Sequence, residues 1–329
     1  MKRADTVGII GAGSFGTALG SVLARAGRRV VIWSRDPSVV DSINKTRRCP
    51  RLPDAQLPEP LEATADPRRV AAEARFLVMA VSSKDVRDRA KELGNFLDGS
   101  HIVVHAIGAL AAPNNDRVSE VLQEGLPTLK LGAIAGPALP ADLAVGEFSS
   151  TVVASNFEEV VSEARRLLNA PPVLRVYRSK DLAGVELASA LSGAYTVALG
   201  MCDGLNMGPG PRAVLITRAI AESSRLGIAS GAEARTFAGL AGLGNLLVRG
   251  AENKSKSPDY ELGRRLADGV LTAETARTEG ARAALAGATL ADRLRVRMPV
   301  LTGLAAVLAG RAEPREAAQL IGDTVAVEE

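Results

Sequence analysis

Val7-Gly8-Ile9-Ile10-Gly11-Ala12-Gly13-Ser14-Phe15-Gly16-Thr17-Ala18-Leu19 is the stretch whose reading decides the fold. Thr6–Ile10 is a short apolar run with the composition of a strand buried on both faces. Gly11, Gly13 and Gly16 then spell G-x-G-x-x-G, and Gly16–Ala26 continues with helical periodicity. Each glycine has its own expected task. Gly11 permits the tight turn off the strand, Gly13 lets backbone approach a pyrophosphate, and Gly16 lets helix and strand pack closely. Ser14 and Phe15 open the helix, where free N–H groups and the positive end of the helix dipole suit phosphates. The segment therefore points to a bound dinucleotide, NAD or NADP.

Working outward, further strand candidates are Arg29–Ser34, Phe76–Ala80, Ile102–His105, Lys130–Ala135, Thr151–Ala154 and Val173–Tyr177. Helical patterns such as Glu158–Leu168 lie between them, which predicts a mostly parallel sheet covered on both faces, an α/β Rossmann domain. Pro50 to Pro60 reads as an ordered surface loop. After Ser179 the strand signal stops. Asp181–Leu199 suits a mostly buried helix, and Pro211–Leu226, Ala232–Ala238, Tyr260–Ala267, Thr272–Ala284, Thr289–Arg297 and Met298–Leu308 carry helical periodicity. The expected division is a dinucleotide-binding domain over 1–178 and an all-α domain over 179–329.

The second strand should end at the adenosine ribose, where NAD-selective chains place an acidic residue. Here Ser34 and Arg35 stand there and Asp36 comes two positions late, a pairing that accepts a 2′-phosphate. The formal charge of +3, with Arg scattered among Asp and Glu, gives no basic block of the kind that nucleic acid or a membrane surface requires. Cys49 and Cys202 are far apart, and His101 and His105 are too few for a histidine metal site. The apolar run before the glycines is too short for a signal peptide or a membrane span, so a cytoplasmic protein is expected.

The glycine loop and a series of later segments resemble NAD(P)-dependent glycerol-3-phosphate dehydrogenases. Those segments are Leu52-Pro53, Leu57-Pro58, Ala80-Val81-Ser82-Ser83, Gly136-Pro137, Arg175-Val176-Tyr177, Asp203-Gly204-Leu205, Thr217-Arg218 and Gly239-Leu240-Ala241-Gly242-Leu243-Gly244. The resemblance implies a Rossmann domain joined to a helical, 6-phosphogluconate-dehydrogenase-like domain, and a homodimer. It implies interconversion of glycerol 3-phosphate and dihydroxyacetone phosphate, and it places Ser82 near the cofactor.

The residues the family uses for chemistry are replaced. Ile107 stands where the family's Thr-Lys-Gly segment has lysine. Ser192 and Gly193 replace the Lys-Asn of Gly-Ala-Leu-Lys-Asn-Val, and Asn245 replaces the Asp of Gly-Leu-Gly-Asp-Leu. Gly210 stands for a family Asn, while Lys254 and Lys256 fall near the phosphate-binding Ser-Arg-Asn as candidates for a small phosphorylated ligand. Reducing a ketone needs a proton donor and cations for the charges that develop, and a serine hydroxyl supplies neither. Ser192, Asn245 and His105 are the remaining catalytic candidates, with Lys84 beside them. Three readings stay open: a catalytically degenerate dinucleotide binder acting as a sensor or through a protein partner, an active dehydrogenase on another substrate, and a genuine glycerol-3-phosphate dehydrogenase.

Overall fold

A computed structural model describes residues 5–251, 257–270 and 278–323. The chain divides into two compact units, the first running to Ile107 and over Ala111–Leu182, the second taking Gly108–Leu110 and everything from Ala183.

The first unit is built on an eight-stranded sheet: β1 (Thr6–Ile10), β2 (Arg29–Trp33), β3 (Leu61–Thr64), β4 (Phe76–Met79), β5 (Ile102–His105), β6 (Leu131–Ala135), β7 (Ser149–Ala154) and β8 (Leu174–Ser179). Their spatial order is β3-β2-β1-β4-β5-β6-β7-β8. Every pairing is parallel except β6 with β7. The chain leaves β1 toward β2 and β3 on one side and continues with β4 on the other. The reversal of strand order therefore lies between β1 and β4, where open α/β sheets bind ligands beyond their carboxyl ends. Among the described residues seven α-helices and a π-helical turn (Ser42–Thr46) accompany the strands: α1 (Ser14–Arg25), α2 (Pro37–Asp41), α3 (Pro67–Glu73), α4 (Val86–Gly94), α5 (Val118–Gly125), α6 (Pro140–Val145) and α7 (Glu158–Leu168). Two clusters of buried side chains flank the sheet, one built around Val7, Ile9, Leu19 and Ile32, the other around Ile10, Val31, Leu77 and Met79.

Strand β3 is absent from the sequence expectation. Leu61-Glu62-Ala63-Thr64 has one β-branched residue and follows two prolines, so it lacks a strand's local signature. A distant side chain supports it. The Asn44 carboxamide donates to the Ala63 carbonyl at 2.9 Å and accepts from the Ala63 N–H at 2.8 Å, doing for this edge what a further strand would do. The proline-rich loop is also less superficial than expected, since Cys49, Leu52, Ala55 and Leu57 are buried in the core.

The second unit is helical: α8 (Leu182–Gly204), α9 (Pro209–Ala229), α10 (Ala234–Phe237), α11 (Asn245–Arg249), α12 (Pro258–Ala267), α13 (Glu279–Leu294), α14 (Pro299–Leu308) and α15 (Pro314–Asp323). Of the helical patterns expected over Thr272–Ala284 and Thr289–Arg297, residues 272–277 lie outside the described residues. The described remainder of both is joined in one helix, α13 (Glu279–Leu294), which carries Gly287 buried within it. Helix α8 is the one helix among the described residues long and apolar enough to cross a membrane, and 89% of that stretch is buried inside the protein. A core helix that is apolar all round has this character.

Candidate functional site

The glycine loop leaves β1 and turns under the end of β4. Gly11 has φ +121°, and a Cβ there would lie 2.5 Å from the Ala80 carbonyl oxygen. A Cβ on Gly16 would lie 2.2 Å from the Gly11 carbonyl oxygen, so the helix start can approach the strand only without a side chain. Gly13 differs. Its φ of −76° suits any residue, and the nearest atom to a Cβ would be 4.0 Å away. Nothing inside the protein requires glycine there. A ligand lying against the loop would, and no side chain caps the N-terminus of α1. The loop is thus shaped for a pyrophosphate.

Beneath the loop the buried Cys49 thiol donates to the Ala12 carbonyl at 3.7 Å and accepts from the Thr17 hydroxyl at 3.5 Å. The reading of spacing alone gave Cys49 no task; its place under the loop depends on the course of residues 47–58. At the end of β2, Ser34 is buried and accepts the Asp36 N–H at 3.2 Å, while Arg35 is exposed. Asp36 caps α2 through the Ser38 hydroxyl and N–H, and those bonds hold its carboxyl below the usual carboxylate range. It therefore serves the helix, leaving Ser34 and Arg35 as the polar groups next to it. Ser82 follows β4 half-buried, and Lys84 is exposed.

His105 ends β5 but is 1% exposed, and its Nδ1 accepts the Ile107 N–H at 3.4 Å. The ring is a folded-in part of the turn. Ile107 is packed in the second core cluster.

In the helical unit, Ser192 is buried on α8. Its hydroxyl points to the Ala188 carbonyl at 2.7 Å, the Gly242 carbonyl at 3.0 Å and the Ala241 carbonyl at 3.4 Å. It ties α8 to the π-helical turn Leu240–Gly244 and is saturated by that task. Asn245, directly after this turn, is 4% exposed. Gly193 lies against the Arg249–Asp259 ion pair. Asp203 accepts from Arg212 and from the Tyr260 hydroxyl at 2.5 Å, and burial, with Asp203 beside it, pushes the phenol of Tyr260 up to about 12. Gly210 is in the first turn of α9 with nothing within 4 Å of a Cβ. Lys254 and Lys256 lie outside the described residues. Arg249 and Asp259 escape a reading by spacing, since nothing in their local sequence pairs them.

Family models described as the N-terminus and C-terminus of NAD-dependent glycerol-3-phosphate dehydrogenase match residues 6–161 and 181–319. A glycerol-3-phosphate dehydrogenase [NAD(P)+] from Carboxydothermus hydrogenoformans is 35% identical over 318 residues, 94% of each chain. One from Halorhodospira halophila is 36% identical over 315 residues, 93% of each. The crystal structure of glycerol-3-phosphate dehydrogenase from Coxiella burnetii superposes with a TM-score of 0.91 at 28% identity, covering 98% of this chain and 99% of that one. With both halves matched in order and relatives aligned almost end to end, the chain belongs to the NAD-dependent glycerol-3-phosphate dehydrogenase family.

Proposed function

We propose that this chain is a cytoplasmic NAD(P)-dependent oxidoreductase of the glycerol-3-phosphate dehydrogenase type that turns over dihydroxyacetone phosphate slowly. The observation that carries it is the match of both units to one dehydrogenase family, joined to a glycine loop whose Gly13 is left open. A bound nicotinamide supplies or accepts the hydride. The chain's own part is to hold the pyrophosphate on the loop and the first turn of α1, and to receive the adenosine end at Ser34 and Arg35. Ser82 lies beyond β4 on the same carboxyl edge, and Arg35 favours a 2′-phosphate through charge. Asn245 offers a donor and an acceptor to a substrate oxygen but no positive charge. Loss of a positioned proton donor costs about 10² to 10⁴ in rate. NADH or NADPH oxidation with dihydroxyacetone phosphate at high protein concentration is therefore expected at a rate lower by about that factor than for a family member that keeps both lysines. Turnover at a full family rate would remove the claim that Ile107 and Ser192 matter.

A second reading is favoured by Ser192 and Ile107 specifically, because both are satisfied inside the protein. In that reading the chain binds NAD(P) without turnover and acts as a sensor, as a homodimer or with a protein partner. Measurable binding with no oxidation above background at any protein concentration selects it.

The binding claim has its own test. Gly13→Ala should keep the fold, with a stability change within about 0.5 kcal/mol, yet weaken NADPH and NADH by at least about tenfold, ~1.4 kcal/mol. Calorimetric titration alongside thermal melting reads both. Unchanged affinity would mean that no pyrophosphate lies against the loop.

A further inference from the structure

The Cys49 thiol beneath the glycine loop is completely buried, in the same core cluster as Val7, Leu19 and Ile32. A free cysteine so placed is ordinarily a small apolar side chain. This one makes two hydrogen bonds, and both run to the backbone that shapes the phosphate cradle. Its S–H donates to the carbonyl of Ala12, in the turn between Gly11 and Gly13, and its sulfur accepts from the hydroxyl of Thr17. Thr17 in turn closes the first turn of α1, donating its N–H to the Gly13 carbonyl at 3.0 Å. One sulfur atom, acting once as donor and once as acceptor, therefore joins the glycine turn to the start of the helix. The Ala12 carbonyl and the Gly13 N–H belong to one trans peptide unit and point opposite ways. Drawing the carbonyl down onto the buried thiol turns the Gly13 N–H away from the core.

The segment that carries the thiol is fixed by its own contacts. Arg47 donates to the Pro58 carbonyl, Arg48 to the Pro53 carbonyl at 3.0 Å, and Arg25, the last residue of α1, to the Gln56 carbonyl at 3.1 Å. The Leu57 N–H returns to the Arg47 carbonyl and the Leu52 N–H to the Cys49 carbonyl, both at 2.9 Å. The sulfur is thus in place before any ligand arrives, and a support of that kind spares the ordering cost of binding. We propose that Cys49 is a positioning residue for the dinucleotide: through Ala12 and Thr17 it sets the glycine turn against the start of α1, and so sets the affinity for the pyrophosphate. It acts only through those two residues. The inference rests on the dinucleotide binding stated under Proposed function.

The test compares Cys49→Ala with Cys49→Ser by calorimetric titration with NADPH and NADH, alongside thermal melting. Alanine and serine leave nearly the same gap in the core, so both variants should melt a similar few degrees below wild type. Only serine keeps a donor for Ala12 and an acceptor for Thr17. Cys49→Ala is expected to weaken the dinucleotide by at least about tenfold, and Cys49→Ser to stay within about threefold of wild type. A cysteine that merely fills space predicts equal affinities for the two variants, and that result overturns the proposal. So does wild-type affinity in Cys49→Ala. If Cys49→Ala does not fold, the same question is put from the other end of the bridge. Thr17→Val removes the hydroxyl and keeps the shape, whereas Thr17→Ser keeps the hydroxyl. Thr17→Val should bind more weakly than Thr17→Ser, and equal binding overturns the proposal. Wild-type protein that binds neither dinucleotide fails the reading under Proposed function and this one with it. Wild-type binding that Cys49→Ala leaves unchanged fails this one alone.

Discussion

Gly16→Ala should yield a chain that no longer retains NADPH or NADH and that melts well below wild type. An added Cβ falls 2.2 Å from the Gly11 carbonyl oxygen and 3.2 Å from Ile9 Cγ2. The first of these atoms is backbone and cannot swing aside, so the turn and the start of α1 must separate by about an ångström. Overpacking of this kind costs about 1–3 kcal/mol in stability. Displacing the loop also removes the preformed phosphate cradle, and a loss of at least about 100-fold in affinity, ~2.7 kcal/mol, is expected. Calorimetry and thermal melting measure the two losses separately. The contrast with Gly13→Ala is informative, because there affinity falls and stability does not. A Gly16→Ala protein with wild-type affinity would place the cofactor elsewhere.

The second large effect is expected at Glu222, in the helical unit. This carboxylate is 1% exposed and accepts the Tyr195 hydroxyl at 2.7 Å, the Val300 N–H at 2.8 Å and the Leu301 N–H at 3.1 Å. It therefore caps α14 from α9 and satisfies a buried phenol on α8. Glu222→Ala leaves three donors without an acceptor in a closed space and should cost about 3–5 kcal/mol. Glu222→Gln keeps the shape, loses one acceptor, and should cost about 1–3 kcal/mol. The pH dependence has a definite sign. Burial, the largest influence, raises the Glu222 carboxyl above its ordinary 4.5, against the hydrogen bonds from Val300, Tyr195 and Leu301 that lower it. The folded state then binds this proton more tightly than the unfolded state does. Its contribution is fully present below about pH 4.5 and is lost as pH rises through the folded value. Relative to wild type, Glu222→Gln should compare best at high pH and worst near pH 4. Chemical denaturation at several pH values checks this, and a difference that does not vary above pH 4 would count against it.

The cofactor loop was legible because its logic is local. A strand, a tight turn and a helix start follow one another within about a dozen residues, and each glycine is explained by neighbours in the chain or by β4. Strand β3 was not legible, since its pairing rests on β2 and on Asn44, which lies 19 residues away. Ser192 shows the same limit at the site. Its residue type said only that a lysine's charge was gone. That its hydroxyl is spent on the carbonyls of Ala241 and Gly242 depends on how the turn Leu240–Gly244 packs on α8. His105 stood at the correct end of β5, yet the packing of that edge closed it in. Arg249 and Asp259 carry no local sequence signal of their pairing, which depends on how α11 and α12 meet beside Gly193.

Helix α8 also bears on how this protein comes off the ribosome. Its 23 residues are mostly apolar, Glu186 and Asp203 excepted, and α9, α12 and α13, which pack against it, all follow it in the chain. At ordinary rates of synthesis the remainder takes on the order of ten seconds to appear. During that interval this long apolar helix lacks the helices that later pack on it. Overexpression should therefore fail first by aggregation of nascent or truncated chains ending between α8 and α14, and a slower rate of synthesis or a holding chaperone should raise the yield of protein without altering the stability of the finished fold.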